Sequence, residues 1–251
     1  MSITRTFPLR VVREPCRSGI ENMRRDTGWL KTAGADEYAV LCFYSWKRPT
    51  ISLGWMQRAS DLLDLAACKR DGIDVVQRPT GGRAILHEDE ITYSFTSATA
   101  RAPLDGGLQA THRLLAECLQ RGLAILGVQT ELSRPARDAA RLLIRQPCFS
   151  SAGRAELMVQ GRKLLGSAQR RSRDAFLQHG SLLLGPAHTR IVDYLLETRE
   201  DAAKRTAARH QLHTGTTNLR SILGEVPSFE VLSAALQEGF EQRLQVQSVL
   251  G

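Results

Sequence analysis

Four short segments of the 251-residue chain carry residue types that could do chemistry. The first is Arg78-Pro79-Thr80-Gly81-Gly82-Arg83, followed by Ala84-Ile85-Leu86-His87. Paired glycines let backbone N–H groups approach an acyl or phosphate group, and flanking arginines add charged donors. The ordinary alternative is a β-turn, and the full pattern of a nucleotide-binding P-loop is absent. The second is Gly161-Arg162-Lys163 leading into Gly166-Ser167-Ala168-Gln169. A lysine opening a strand is usually solvated, but the small residues after it leave room for a ligand beside a sheet. The third is Pro147-Cys148-Phe149-Ser150, a thiol outside any helical stripe in an expected loop. Near cationic groups such a thiol can lose its proton and become a nucleophile; an inert free thiol is the alternative. Gln178-His179-Gly180 completes the set, although a lone strand histidine is more often structural.

The surrounding elements mix helices and strands. A helix is expected over 18–33, ended near Gly34, and strands over 38–46, 50–54 and 73–78. Ser60 should cap a short helix that stops at Gly72, and 84–98 should give one or two strands. Residues 107–127 form the clearest amphipathic helix, with Leu115, Cys118, Leu119 and Leu126 on one face, so Cys118 reads as core. Arg134, Arg137, Arg141 and Arg145 would share one side of a helix if 133–147 is helical. Residues 156–171 read as a hairpin with Gly161-Arg162 at the turn, and 175–185 as a strand. A last helix spans 228–246, with Ser228 as cap and Leu232, Leu236, Phe240 and Leu244 at i, i+4 intervals. Strands and helices do not alternate regularly. The expected class is therefore α/β or α+β, a mixed β-sheet packed with helices, rather than a doubly wound parallel sheet.

Composition narrows the function classes. Hydrophobic residues make up 42% and charged residues 24%, enough for a sizeable core. No stretch approaches the length of a membrane span, and the first residues lack the apolar core of a signal peptide, so a cytoplasmic location is expected. Cys16, Cys42, Cys68, Cys118 and Cys148 are odd in number, spread out and without a Cys-x-x-Cys, which argues against a disulfide framework or a cysteine-based metal site. The net charge of +8 invites a nucleic-acid reading, but 6% aromatic content offers no stacking platform. It also fits binding of acidic proteins.

Taken in order, the Pro-Thr-Gly-Gly segment, the cysteine, Gly-Arg-Lys-x-x-Gly-Ser-Ala-Gln and Gln-His-Gly resemble the lipoate–protein ligase and octanoyltransferase superfamily, which includes biotin–protein ligases. Residues 45–57 and 216–224 also look like that family's connecting segments. The resemblance covers about 18–220 and implies a single catalytic domain over 1–251, with the helix at about 228–246 in place of a ligase accessory domain. The family often has two arginines before Pro-Thr-Gly-Gly, and here the first position is Gln77; Arg24 and Arg25 stand where smaller or apolar residues are common.

The cysteine ahead of Gly-Arg-Lys makes the chain most similar to the cysteine-dependent octanoyltransferases. Those enzymes move an octanoyl group from acyl carrier protein to a lysine of a lipoyl domain or a glycine-cleavage H-type protein. The resemblance then implies Cys148 and Lys163 as catalytic residues. It implies a substrate pocket from Arg78, Thr80, Gly81, Gly82, Arg83, His87, Gly166, Ser167, Ala168, Gln169, His179 and Gly180. No cofactor, metal, nucleic acid or membrane is implied. Arg170, Arg171 and Arg173 would sit on a basic rim for the acidic partners. An ATP-dependent lipoate ligase and an amidotransferase between lipoyl-bearing proteins remain as alternatives.

Overall fold

The computed structural model describes residues 7–133 and 156–250. Its elements begin β1 (Leu9–Arg17), α1 (Gly19–Thr32), β2 (Ala39–Trp46), β3 (Thr50–Leu53), α2 (Ala59–Leu62), α3 (Leu65–Arg70) and β4 (Asp74–Gln77). They continue β5 (Ile85–His87), β6 (Glu90–Ala98), α4 (Gly107–Ile125), β7 (Glu131–Leu132), β8 (Leu157–Val159), β9 (Arg162–Arg171) and β10 (Ala175–Leu183). A 3-10 helix at Ala187–Asp193, then α5 (Leu196–Arg199), α6 (Ala202–Gly215), α7 (Leu219–Leu223), α8 (Phe229–Leu244) and β11 (Ser248–Leu250) complete the described chain.

Eight strands form one sheet in the order β11-β1-β2-β6-β10-β9-β8-β7, and β4-β3-β5 form a second. β1 runs parallel to β2 and β11, β3 runs parallel to β4, and β6, β10, β9 and β8 pair antiparallel. The sheets are mixed, as the irregular element order leads one to expect. One face of the large sheet packs under α4 and α8, which bury Leu115, Cys118 and Leu119 against Leu232, Leu236, Phe240 and Leu244. The second core joins the small sheet to α3, the 3-10 helix and α6 through Ile51, Leu53, Cys68, Leu86, Ile191 and Leu212. Among the described residues, no helix is long and apolar enough to cross a membrane.

Helix α1 starts where its cap dictates. The Ser18 side chain accepts from the Glu21 backbone N–H, and the Glu21 carboxylate accepts from Ser18 N in return. Gly19, Asn22, Met23 and Asp26 are its buried residues, one helical stripe of which two members are polar. That stripe packs against β10, β6 and β2 of the large sheet and β4 of the small one.

Two local expectations are corrected, and one strand was not expected. The helix expected from Ser60 to Gly72 is two pieces, and the cap of the second is Asp64, whose carboxylate accepts from Ala66 N and Ala67 N. The hairpin turn is Gln160-Gly161, with φ of 50° and 73°, and Arg162 already opens β9. Two consecutive positive φ angles twist the chain in the sense antiparallel strands need. β1 carries no clear strand signal because Arg10, Arg13, Glu14, Pro15 and Arg17 interrupt its apolar residues. Cys148 and the arginines at 134, 137, 141 and 145 lie outside the described residues.

Candidate active site

A narrow cavity lies between the two sheets. Its wall crosses four neighbouring strands of the large sheet: Tyr44 and Trp46 on β2, Thr92 on β6, His179, Gly180 and Ser181 on β10, and Gly166, Ser167 and Ala168 on β9. Met23 from α1 and Ser52, Arg78, Ile85 and His87 from the small-sheet side close it. Of the residues singled out in the sequence, the structure thus brings Arg78, His87, Gly166, Ser167, Ala168, His179 and Gly180 to one cavity. The β9 and β10 members meet by register, with Ala168 opposite His179 and Gly166 opposite Ser181.

The glycine turn is held behind this wall. Arg78 is buried, and its guanidinium donates to Ser52 O at 2.8 Å, Gly81 O at 3.0 Å and Arg83 O at 2.7 Å. It therefore shapes the turn from within. Gly82 has φ of 95°, a backbone state that favours glycine. Gly54 faces it so closely that a Cβ there would stand 2.0 Å from Gly82 O. Thr80, Gly81, Gly82 and Arg83 do not themselves line the cavity; Thr80 reaches it by bonding His179. Gln77, the departure before the turn, donates to the Trp55 carbonyl at 2.7 Å and ties the loop after β3 to β4.

Two buried polar chains organise the cavity. In the first, Asp26 Oδ2 lies 3.1 Å from His179 Nδ1, and His179 Nε2 lies 2.6 Å from Thr80 Oγ1. Tyr44 OH and Ser94 Oγ also donate to the Asp26 carboxylate, at 2.9 and 3.0 Å. A proton on Nδ1 facing the carboxylate leaves Nε2 to accept from the threonine hydroxyl. Arg25 adds positive charge beside Asp26, donates to Glu14, and lies 4.3 Å over the Tyr44 ring. In the second chain, Arg78 donates to Ser52 Oγ at 3.0 Å, and Ser52 Oγ lies 2.7 Å from His87 Nε2. His87 stacks on Trp46 with ring centroids 4.0 Å apart, and its Nδ1 is 3.5 Å from Glu90. Burial pushes the His87 pKa below its ordinary value, with Glu90 opposing, so the ring favours the neutral form.

Lys163 is buried and pairs with Glu156, Nζ to Oε1 at 2.5 Å. β8 pairs Leu157 with Leu165 and Met158 with Lys163, so two steps on β9 answer one on β8. This extra residue changes the side-chain alternation between Lys163 and Leu165. Lys163 is not part of the cavity wall; it precedes Gly166, which is. Gln169 turns away from the cavity and donates to Gln178 at 3.1 Å. On the expected rim, Arg170 lies over the Trp55 ring and Arg173 is exposed, but Arg171 is half-buried and donates to Thr99 O.

The other cysteines divide clearly. Burial pushes the thiols of Cys42 and Cys118 far up, and that of Cys68 up to about 11, so all three stay protonated. Cys16 is exposed. Sequence reasoning missed Asp26, Tyr44, Ser52, Gly54, Ser94 and Glu156. The available signal was the pair Asn22 and Asp26 on the apolar side of an amphipathic helix.

The cavity thus lies between the two sheets, with the glycine turn behind its wall and the buried Lys163 on the strand that carries Gly166. Residues 18–241 match the lipoyl protein ligase A/B catalytic domain, and the chain belongs to that family. It is 36% identical, over 81% of its length and 75% of the relative's, to octanoyltransferase LipM of Kyrpidia tusciae. Octanoyltransferase LipM of an Exiguobacterium species is also 36% identical, over 92% of this chain and 84% of that protein. Among solved structures, a bipartite lipoate protein ligase from Thermoplasma acidophilum, studied with its E2 lipoyl domain, has a TM-score of 0.73 at 20% identity. It covers 98% of this chain and 87% of that chain, which shows the shared fold.

Proposed function

We propose that the chain is an acyltransferase of lipoate biosynthesis that moves an octanoyl group to a lysine of a lipoyl-accepting domain. The observation that carries this reading is the cavity itself. It is a narrow space between two sheets, walled on one side by Gly166, Ser167, Ala168 and Gly180, whose small size lets a flat chain lie against the strands. The octanoyltransferase relatives, alike over most of the chain, agree with it.

The donor in this reading is octanoyl-acyl carrier protein. The Cys148 thiolate attacks the thioester carbonyl, a new carbon–sulfur bond forms, the bond to the carrier sulfur breaks, and the carrier leaves as its thiolate, which takes a proton from solvent. The amine of the acceptor lysine then attacks the acyl-enzyme, loses a proton, and releases Cys148. The first exchange is between two thioesters and nearly isoenergetic; the amide formed in the second draws the sequence forward. Splitting one transfer into two steps is the benefit of a covalent nucleophile. The Lys163 ammonium stabilises the oxyanion and favours the thiolate. Glu156 holds Lys163 in place.

The test is transfer from octanoyl-carrier protein to a purified lipoyl-accepting domain, read as a mass gain of one octanoyl group on the acceptor. Modification without ATP, lost when the acceptor lysine is replaced by arginine, supports the reading. Modification that requires octanoate and ATP instead identifies a ligase.

A further inference from the structure

The cavity lies beside a second depression. An open groove runs between α1 and β4, lined by Ile20, Arg24, Val75, Val76 and Gln77 among others. Met23 lines both spaces and, among the described residues, is the only one they share. Its side chain is 6% exposed, so it fills the partition between them. On the groove side, Gly28 leaves the surface open, since a Cβ there would meet nothing within 4 Å. A glycine inside a helix costs about 1 kcal/mol against alanine, and no packing contact requires this one.

The direction of the cavity follows from its strands. From β9 through β10 and β6 to β2 is three inter-strand steps, about 14 Å. Lys163 opens β9, so the reacting carbonyl belongs at that side and the chain tail at β2. Met23 is on α1, which spans this wall: the adjacent Asn22 donates to Ser45 O of β2 at 3.2 Å, and Asp26 bonds His179 of β10 at 3.1 Å.

We propose that Met23 determines the acyl chain length: its thioether side chain closes the tail end of the cavity, and the α1–β4 groove behind it is a latent subsite for longer acyl tails. This rests on the acyl-transfer reading above. The unbranched methionine stops an eight-carbon chain at the partition, and shortening it joins cavity to groove. The apolar lining of Ile20, Val75 and Val76 would then cover the extra methylenes.

The experiment compares octanoyl and decanoyl thioesters of one carrier protein with the full-length enzyme. In Met23→Ala, the decanoyl-to-octanoyl ratio of kcat/KM should rise roughly fifteenfold, about fourfold for each of two newly buried methylenes. Met23→Val, which leaves a smaller void, should move the ratio the same way by less, and it decides the matter if the alanine variant does not fold. Gly28→Phe should leave octanoyl transfer unchanged in the wild type and return the ratio toward wild type in the Met23→Ala background. An unchanged ratio in both Met23 variants, with octanoyl transfer intact, overturns the chain-length role and leaves the function standing. Absence of octanoyl transfer by the wild-type enzyme overturns both.

Discussion

His179 Nδ1 lies 3.1 Å from Asp26 Oδ2, joining a β10 residue of the cavity wall to a carboxylate buried on α1. Through Nε2 the same ring takes the hydroxyl of Thr80, so helix, sheet and glycine turn are fastened at one imidazole. Asp26→Ala leaves Tyr44, Ser94 and His179 without their shared acceptor. Each buried group so orphaned costs about 1–3 kcal/mol. The urea midpoint should fall markedly, and Asp26→Asn, which keeps an acceptor oxygen, should fall less. Equal midpoints for wild type and Asp26→Ala would contradict the network.

Gly54 should tolerate no side chain. Its Cβ would stand 2.0 Å from Gly82 O, whereas a Cβ on Gly81 would meet nothing within 4 Å. Gly54→Ala should therefore displace the turn, lower stability by about 1–3 kcal/mol as overpacking does, and reduce transfer. Gly81→Ala is the control and should remain close to wild type in stability. Thermal melts of the two variants side by side check the contrast.

The buried pair of Lys163 and Glu156 should be sensitive to losing either member. Removing one partner of a buried ion pair costs about 3–5 kcal/mol. Lys163→Met keeps the apolar stem but removes the charge from the pair, so it lowers stability as well as activity and the two must be read together. Its expected loss is about 10²–10³ in the acylation rate, the range for one removed oxyanion donor. Single-turnover acylation, measured alongside circular dichroism, reads both effects.

Acid should destabilise the fold through its buried histidines. Burial is the main cause that pulls the His188 pKa down from 6.5 to about 4, and the neighbouring Lys163 charge adds to it. The folded value lies below the unfolded one, so unfolding takes up a proton between them. This contribution is complete above about pH 6.5 and is lost as the pH falls toward 4, on the order of 3 kcal/mol. His87 and His112 are shifted the same way by burial. Urea midpoints across that range should fall, and His188→Gln should flatten the slope.

How much of this was legible in the sequence depended on how local each signal was. The helix over 18–33 and the i, i+4 leucines of 228–246 with Ser228 as cap were legible, because helical faces and caps are written within a few residues. The Gly-Ser-Ala segment announced a strand with room beside it, whereas His179 read from its own residues as structural. Asp26 did not announce itself, since its partners Tyr44, Ser94 and His179 lie 18, 68 and 153 residues away. β1 was equally hidden: its role comes from lying between β2 and β11, and a strand flanked on both sides can carry Arg13, which donates to Ser233 on α8. Helix α6 buries only Leu212, too little to make a periodic pattern.

Native-state alkylation should sort the thiols. With a pKa of about 11, Cys68 is thiolate in about one molecule per thousand at pH 8, and Cys42 and Cys118 are held higher still. Brief iodoacetamide treatment followed by peptide mapping should leave these three unmodified until denaturant is added. Cys148 should be labelled first, with loss of transfer activity.

The acyl-enzyme on Cys148 is the intermediate on which the proposed transfer depends. Intact-mass measurement of the enzyme mixed with octanoyl-carrier protein, without acceptor, tests it most directly. The expected result is a mass gain of one octanoyl group that is absent in Cys148→Ala, reverses on adding acceptor domain, and maps to the peptide containing Cys148. An enzyme that modifies the acceptor at an undiminished rate as Cys148→Ala, with no adduct in the wild type, would contradict it.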